Sequence, residues 1–263
     1  MGRLPEQRRR GVGEELEQDH VLGVRAVPRR GLMCRILLFF GTPKQAFLKS
    51  FVEISRRDRT LGLSHGSGWG ILYARNGEYG LYKSTRPIWE SYIEPPTGYE
   101  LYLLHSRLAS VGGVSPANTH PIVYGDFAIA HNGTFRKEEM AEDLKKRGLD
   151  ITTGGATDTE LFLKAFVDSG GDVKTLVELS KWAIHYLDKE EPMMNIAIVD
   201  LRNAEAYFVT YRASEEPHYV PVYRIGEITV VASEPLDDEP WSPLPNGSIA
   251  KIANGFVNIT KFI

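Results

Sequence analysis

The sequence predicts an α+β fold, a four-layer α/β/β/α sandwich with mostly antiparallel sheets. Short apolar segments of strand length occupy both halves of the chain, and a block of helical patterns separates them. Several neighbouring segments are joined by links too short for a crossover, which predicts antiparallel pairing. Strands, then helices, then strands again favour two packed sheets with helices on their outer faces.

Each element is predicted from its own pattern. In chain order they are a strand at 34–40, a helix at 44–58, a hairpin at 69–83, strands at 100–110 and 126–133, helices at 138–148, 158–170 and 172–187, and strands at 194–201, 205–211, 220–225, 227–233, 248–252 and 256–262. In the first helix, Phe47, Phe51 and Ile54 recur at helical spacing. Asn76-Gly77 between two apolar segments is a strong hairpin signal.

Glycines and short links define the ends of several elements. Gly148 and Gly170 stand where a C-capping residue is expected at the end of a helix. The links at 200–204 and 224–227 are tight, so the strands on either side of each should pair antiparallel. Because no change in composition divides residues 34–263, we expect them to form a single domain.

The composition narrows the class of protein. The chain of 263 residues is 42% hydrophobic and 25% charged with a net charge of −3, which gives no sign of a surface for nucleic acid. Apolar runs such as 36–40 are far shorter than the ~18–20 residues of a membrane span. The first twenty residues lack the apolar stretch of a secretory signal. We therefore expect a cytoplasmic protein that binds neither nucleic acid nor membrane.

Residues 1–33 differ from the rest of the chain. They are rich in Arg, Glu, Gly and Pro and show no sustained hydrophobic period, so they have little surface to bury. We predict that this segment is a disordered extension, a propeptide or a mis-assigned start, and that 34–263 is the folded domain.

The only cysteine, Cys34, directly follows Met33 at this boundary. A lone cysteine is usually a small buried hydrophobic residue. If the chain began at Cys34, however, its α-amine, with a pKa of about 8, would be partly neutral near pH 7 and could take the thiol proton. Nucleophile and base would then share one residue. Either cleavage before Cys34 or translation from Met33 with removal of the methionine would produce this start. We favour the second route because the tail has no packing pattern.

Three other polar positions follow or end apolar segments. Asn132-Gly133 is by default a turn, but an amide side chain beside a backbone N–H supplies two donors for a developing oxyanion. Arg107 ends an apolar strand, where its guanidinium could grip a carboxylate through two hydrogen bonds. Asp158 is by default a first-turn helix residue, and it could equally receive an ammonium group. Arg107 and Asp158 together would hold both charged ends of an α-amino acid.

An ordered set of motifs resembles a known family. The set comprises Cys34 after Met33, HSRLAS (105–110), NTHP (118–121), AHNGTF (130–135) and TDTE (157–160), with weaker likeness at 64–71 and 230–236. In this order the motifs resemble the class II glutamine amidotransferases, which are N-terminal-nucleophile (Ntn) hydrolases. The likeness is greatest to compact stand-alone members without a synthase domain, and it implies the Ntn-type sandwich.

The resemblance also implies residue roles and a reaction. By that likeness the catalytic residues are Cys34, Asn132 and Gly133, and the substrate-binding residues are Arg107, Ser110 and Asp158, while His120 is structural. The thiol would attack the side-chain amide of glutamine, release ammonia and yield glutamate through a thioester. The ammonia would pass to a separate synthase subunit or to solution. We expect no metal and no cofactor, because the histidine spacing does not fit a metal site and the glycine-rich segments lack a phosphate-loop lysine.

Two other functions remain open at this point. Ntn relatives hydrolyse several amides, so a γ-glutamyl or acyl amide is an alternative substrate. A non-catalytic regulatory subunit is the other alternative, and it applies if the extension is retained, because an α-nitrogen in a peptide bond has no basic lone pair.

Overall fold

The computed structural model of the protein describes residues 33–109 and 113–263. Its elements are β1 (Arg35–Phe40), α1 (Gln45–Arg56), β2 (Trp69–Arg75), β3 (Glu78–Ser84), α2 (Ile88–Ser91), β4 (Leu101–Ser106), β5 (Ile122–Tyr124), β6 (Phe127–Gly133), α3 (Lys137–Lys146), α4 (Asp158–Asp168), α5 (Val173–Ala183), β7 (Met193–Asp200), β8 (Glu205–Arg212), β9 (Val222–Arg224), β10 (Thr229–Ala232), β11 (Ser242–Pro243), β12 (Ser248–Ala253) and β13 (Phe256–Lys261). Apart from Met33, the predicted extension lies outside the described residues.

The strands form two sheets, and every ladder between named strands in the described ranges is antiparallel. The first sheet has the order β11-β9-β10-β1-β4-β2-β3, and the second has the order β13-β12-β8-β7-β6-β5. Strand β1 lies in the middle of the first sheet between β10 and β4. Cys34 therefore stands at the start of a central strand, as the sequence predicted.

Alternating side chains divide the core into layers. Ile36 and Leu38 of β1 pack against residues of the second sheet such as Ala130, so one face of each sheet faces the other. The opposite face of β1 carries Leu37, which packs with Phe51 of α1. On the outer face of the second sheet, residues of β6 and β7 pack under α3, α4 and α5. The predicted four-layer α/β/β/α sandwich is thus confirmed.

Met33 is the first described residue, and it is buried in a small cluster with Met193 and Tyr219.

The predicted and observed elements differ mainly at their ends. The hairpin turn lies at Asn76-Gly77 as predicted, with positive φ angles of 45° and 86°. The helix expected over 172–187 ends at Ala183 and continues as a 3₁₀ turn over Ile184–Tyr186. The short elements α2, β5 and β11 were not predicted, because two to four residues are too few to show a period.

None of the helices in residues 33–109 and 113–263 combines the length and apolarity needed to cross a membrane.

Candidate active site

Cys34 lies where the two sheets meet at one end of the sandwich. Its backbone N–H donates a 2.8 Å hydrogen bond to Oδ1 of Asn132, which lies on β6 of the opposite sheet. The two residues are 98 positions apart in sequence. Because the backbone nitrogen of Cys34 occupies the place that its α-amine would take in a chain beginning there, Asn132 would orient that amine.

The other end of the Asn132 amide is available for a ligand. Asn132 is fully buried, and its Nδ2 has no hydrogen-bond partner among the described residues. Leaving a buried donor unpaired typically costs about 1–3 kcal/mol, so such a group in a native fold calls for an explanation. A substrate oxygen beside Cys34 would satisfy it.

Gly133 needs to be a glycine at its position. Its φ of 136° is unfavourable for residues with a side chain. A Cβ at this position would lie 2.6 Å from the carbonyl oxygen of Met193 and 2.8 Å from Nε2 of His131. The glycine thus allows β6 to continue past Asn132 to its end without a clash.

The Cys34 thiol is free and partly buried. Burial raises the pKa of the thiol to about 11, although the Leu108 backbone and the charges of Arg107 and Arg35 act in the opposite direction. The backbone N–H of Leu108 donates to Sγ at 3.4 Å. A nucleophile with this pKa requires a nearby base to remove its proton.

Arg107 follows β4 and is only 4% exposed. Its backbone is held by two 2.9 Å hydrogen bonds, from Ser67 N–H to its carbonyl oxygen and from its own N–H to the carbonyl oxygen of Gly68. One guanidinium nitrogen, Nη1, donates to the carbonyl oxygen of Gly113 at 3.0 Å. Burial lowers the pKa of Arg107, whereas the thiolate form of Cys34 and the Asp158 carboxylate act in the opposite direction.

Asp158 is the first residue of α4 and is 5% exposed. Its Oδ2 accepts a 2.6 Å hydrogen bond from the backbone N–H of Phe135, two residues after Gly133. Burial raises the pKa of the carboxyl group to about 6, and the backbone hydrogen bonds limit the rise. A carboxylate desolvated in this way gains most from a cationic ligand.

Asn118 joins the two charged sides of the site, a role that the sequence did not reveal. Its Nδ2 donates to the carbonyl oxygen of Gly113 at 3.0 Å, the same oxygen that Arg107 contacts. Its Oδ1 accepts from the backbone N–H of Ala156 at 2.7 Å, just before Asp158. The first residue of the NTHP motif thus fixes the spacing between the segments that carry Arg107 and Asp158.

Behind Asn132 lies a buried cluster of three histidines, His105, His120 and His131. The backbone N–H of His131 donates to Nδ1 of His120 at 3.4 Å, so this nitrogen is an acceptor. Nε2 of His105 lies 3.3 Å from the same nitrogen and 3.2 Å from the carbonyl oxygen of His131, which makes it a donor. Burial lowers the pKa of His105 and His131 to about 3 and that of His120 well below its usual value. The cluster is neutral and links β4 to β6.

The structure joins Cys34 directly to Asn132, which precedes Gly133 on β6. Arg107 precedes Leu108, whose N–H contacts the Cys34 sulfur, and Asp158 accepts from Phe135, two residues after Gly133. Ser110 lies outside the described residues. Sequence reasoning missed the Leu108 N–H, which as a backbone donor leaves no side-chain signal. It also missed the linking role of Asn118, although the motif containing Asn118 had been noted.

The chain was compared with known protein families, curated proteins and solved structures. No family model matches the sequence. The chain is 25% identical to an uncharacterized protein of Methanocaldococcus jannaschii, over 73% of this chain and 62% of that protein. It is 28% identical to the glutamine–fructose-6-phosphate aminotransferase of Haemophilus influenzae, over 49% of this chain and 18% of that enzyme. The chain thus spans less than two thirds of either relative.

Solved structures show the same fold. The glutamine phosphoribosylpyrophosphate amidotransferase of B. subtilis has a TM-score of 0.64 at 17% identity, over 88% of this chain and 49% of that one. A glutamine aminotransferase class-II domain protein of Silicibacter pomeroyi has a TM-score of 0.57 at 19% identity, over 87% of this chain and 99% of that one. The chain therefore has the Ntn-hydrolase fold of the class II glutamine amidotransferase domains, and the resemblance predicted from its motifs is confirmed at the level of the fold.

Proposed function

We propose that the protein is a glutamine amidotransferase-type amidohydrolase whose active form begins at Cys34. The observation that carries this proposal is the 2.8 Å contact between the Cys34 nitrogen and Asn132 Oδ1, with the Asn132 Nδ2 left unpaired and buried. One amide side chain thereby holds the nitrogen of the nucleophile through its oxygen and keeps its NH₂ group for a substrate oxygen. This division of roles suits attack on a carbonyl group.

In the first step the neutral α-amine of Cys34 takes the thiol proton, and the sulfur attacks the side-chain carbonyl carbon of glutamine. Asn132 Nδ2 and the Gly133 N–H donate to the developing oxyanion. The C–N bond then breaks, the proton passes to the leaving nitrogen, and ammonia leaves a thioester on Cys34. Because burial raises the pKa of the thiol to about 11, the reaction depends on this internal base.

In the second step water attacks the thioester, with the α-amine again accepting a proton. The C–S bond breaks and the proton returns to sulfur, which releases glutamate and restores the thiol. Arg107 would hold the α-carboxylate and Asp158 the α-ammonium through both steps. Ammonia would pass to a separate acceptor enzyme or to solution.

The paired charges favour glutamine over other amides. Arg107 and Asp158 are both buried and are connected through Asn118. A simple acyl amide has neither an α-carboxylate for Arg107 nor an α-ammonium for Asp158, so it would form neither contact. An amide that retains both α-groups of glutamine is therefore the better substrate.

A panel of amides tests the proposal. We expect the protein beginning at Cys34 to release ammonia from L-glutamine, to act more slowly on γ-glutamyl alkylamides and to leave simple acyl amides intact. The measurement is ammonia release together with glutamate formation. A preference for acyl amides would instead favour the alternative Ntn hydrolase.

Arg107→Lys provides the control for this panel. Lysine keeps the charge but loses the planar pair of donors, so KM for glutamine should rise strongly. Arg75 is exposed and contacts Glu100 and the carbonyl oxygen of Gly98, so Arg75→Lys should leave KM unchanged. Equal KM values in the two variants would contradict the assigned role of Arg107.

The raised pKa of Asp158 predicts a pH dependence. Below pH about 6 the carboxyl group gains a proton and loses the charge that would bind the substrate ammonium. The plot of log kcat/KM against pH already falls with acid as the α-amine is protonated, and it should steepen below about 6. Asp158→Asn should lower kcat/KM at neutral pH and remove the added steepness, whereas an unchanged profile would contradict the ammonium-binding role.

A further inference from the structure

A buried ionic network contacts the carbonyl oxygen of Cys34. Arg35 is 2% exposed, and its Nη1 donates to the carbonyl oxygen of Cys34 at 3.0 Å. Its Nη2 lies 3.0 Å from Oδ2 of Asp58, and its Nε lies 3.4 Å from Oε1 of Glu234. The guanidinium thus holds the backbone of the nucleophile and is itself held by two carboxylates.

Asp58 also organises the loop that follows α1. The backbone N–H groups of Leu61 and Gly62 donate to its Oδ1, while that of Leu63 donates to Oδ2 at 3.0 Å. Nε2 of His65 lies 3.2 Å from the same Oδ2. Although burial alone raises it, the hydrogen bonds from His65 and Leu61 and the charge of Arg35 hold the pKa of the Asp58 carboxyl well below its usual range.

The far end of this loop holds the segment that follows β4. Ser67 N–H donates to the carbonyl oxygen of Arg107, Arg107 N–H donates to Gly68, and Ala109 N–H donates to Oγ of Ser67 at 3.2 Å. This segment also carries the Leu108 N–H that contacts Sγ of Cys34. A continuous path of hydrogen bonds and backbone therefore runs from the nucleophile through Arg35, Asp58 and the loop to Arg107.

We propose that Asp58 is a positioning residue that sets the placement of the Cys34 nucleophile relative to the substrate-binding segment 107–109. The proposal rests on the proposed function, and it adds a residue outside the reacting groups. Oδ2 of Asp58 contacts two residues with different neighbours. Arg35 contacts the backbone of Cys34, and His65 lies in the loop; we call these two sets of contacts the branches of the network. Rotation or loss of this carboxylate shifts both branches together.

Replacing Asp58 with asparagine should disturb the contacts of both branches. An asparagine retains one oxygen, but the NH₂ group that replaces the second oxygen is a donor facing donors on Arg35, Leu63 and His65. Arg35 would lose its ion pair with Asp58, and the loop would lose acceptors. A displacement of about 1 Å at a reacting group is able to lower turnover by about a hundredfold.

The experiment compares two labels of Cys34 in the protein beginning at that residue, alongside kcat and KM for glutamine. A glutamine-shaped diazoketone must be oriented by segment 107–109, whereas iodoacetamide is small and needs no orientation. In Asp58→Asn we expect the diazoketone rate to fall far more than the iodoacetamide rate. Partial unfolding would change both rates together, so their ratio reports positioning.

Two milder variants separate the branches and serve if Asp58→Asn does not fold. Arg35→Lys keeps the charge but loses the planar guanidinium that contacts the Cys34 carbonyl oxygen, while the bonds of Asp58 to the loop remain, so kcat should fall more than KM changes. Ser67→Ala removes only the acceptor for Ala109, so KM should rise while kcat changes less. If both variants fold and neither moves kcat, KM or the label ratio, the positioning role of Asp58 is wrong.

Asp143→Asn is the matched control, because Asp143 also accepts several hydrogen bonds, from Trp182, Tyr186 and Arg147, but joins α3 to α5. Its removal should cost stability in urea without changing the label ratio, and a changed ratio would overturn the proposal. If the wild-type protein neither reacts with the diazoketone nor releases ammonia from glutamine, the proposed function fails, and this inference fails with it. An active wild type with unaffected variants rejects the inference alone.

Discussion

The protein that begins at Cys34 should hydrolyse glutamine, whereas the chain that retains Met33 and the residues before it should show no turnover. In the longer chain the Cys34 nitrogen is an amide that donates to Asn132 and has no basic lone pair. The thiol, whose pKa burial raises to about 11, is then left without its base. We expect the loss to be complete, because the same residue supplies both groups.

The measurement combines the intact mass of each form with an assay of its glutaminase activity. The two forms should be expressed separately, and their masses should be checked before and after the assay, so that trimming during the experiment is detected. Cys34→Ser in the shorter form should lose most activity while binding glutamine. A full-length chain that turns over glutamine with its extension intact would rule out an N-terminal-nucleophile mechanism.

Replacing Asn132 with alanine should produce the second large effect. Nδ2 would be lost as an oxyanion donor, and losses of this kind lower kcat by roughly a hundredfold to a thousandfold. The variant also loses the acceptor that orients the Cys34 nitrogen, so kcat should fall much more than KM rises. The readout is steady-state kinetics in the protein beginning at Cys34.

Asn195→Ala is the matched control for this variant. Asn195 lies directly opposite Asn132 on β7, is equally buried, and donates from Nδ2 to the carbonyl oxygen of Tyr219. Its replacement removes an amide of the same size from the neighbouring strand, so it should cost stability and leave kcat near the wild-type value. Similar kcat losses in the two variants would mean that Asn132 acts only through the fold.

The sequence predicted the layered fold because its elements carry strong local patterns. Residues such as Phe47, Phe51 and Ile54 mark the buried face of α1, and Asn76-Gly77 marks the hairpin. The positions of Cys34 and Asn132 at strand ends were also evident from their apolar neighbours. That these two residues touch was not evident, because they lie on different sheets and are 98 positions apart.

The supporting residues were harder to predict for physical reasons. Asp58 lies just after α1 and looks in the sequence like an ordinary polar residue of a helix end, yet it is 2% exposed and ion-paired. Arg35 did carry a signal, since a charge inside an apolar strand usually needs a partner. The identity of that partner depends on how the loop from 58 to 68 folds back, which no local pattern specifies.

The neutral histidine cluster behind Asn132 makes the stability of the whole fold depend on pH. His105, His120 and His131 have pKa values far below the ordinary value of about 6.5, so the unfolded chain binds protons that the native protein excludes. The native state therefore loses free energy relative to the unfolded state as pH falls from about 6.5 towards 3, by up to about 1.4 kcal/mol per pH unit for each ring. Because the rings link β4 to β6, proton uptake there would part the two sheets at the end that holds Cys34. Acidification would dismantle the site by separating the layers that form it.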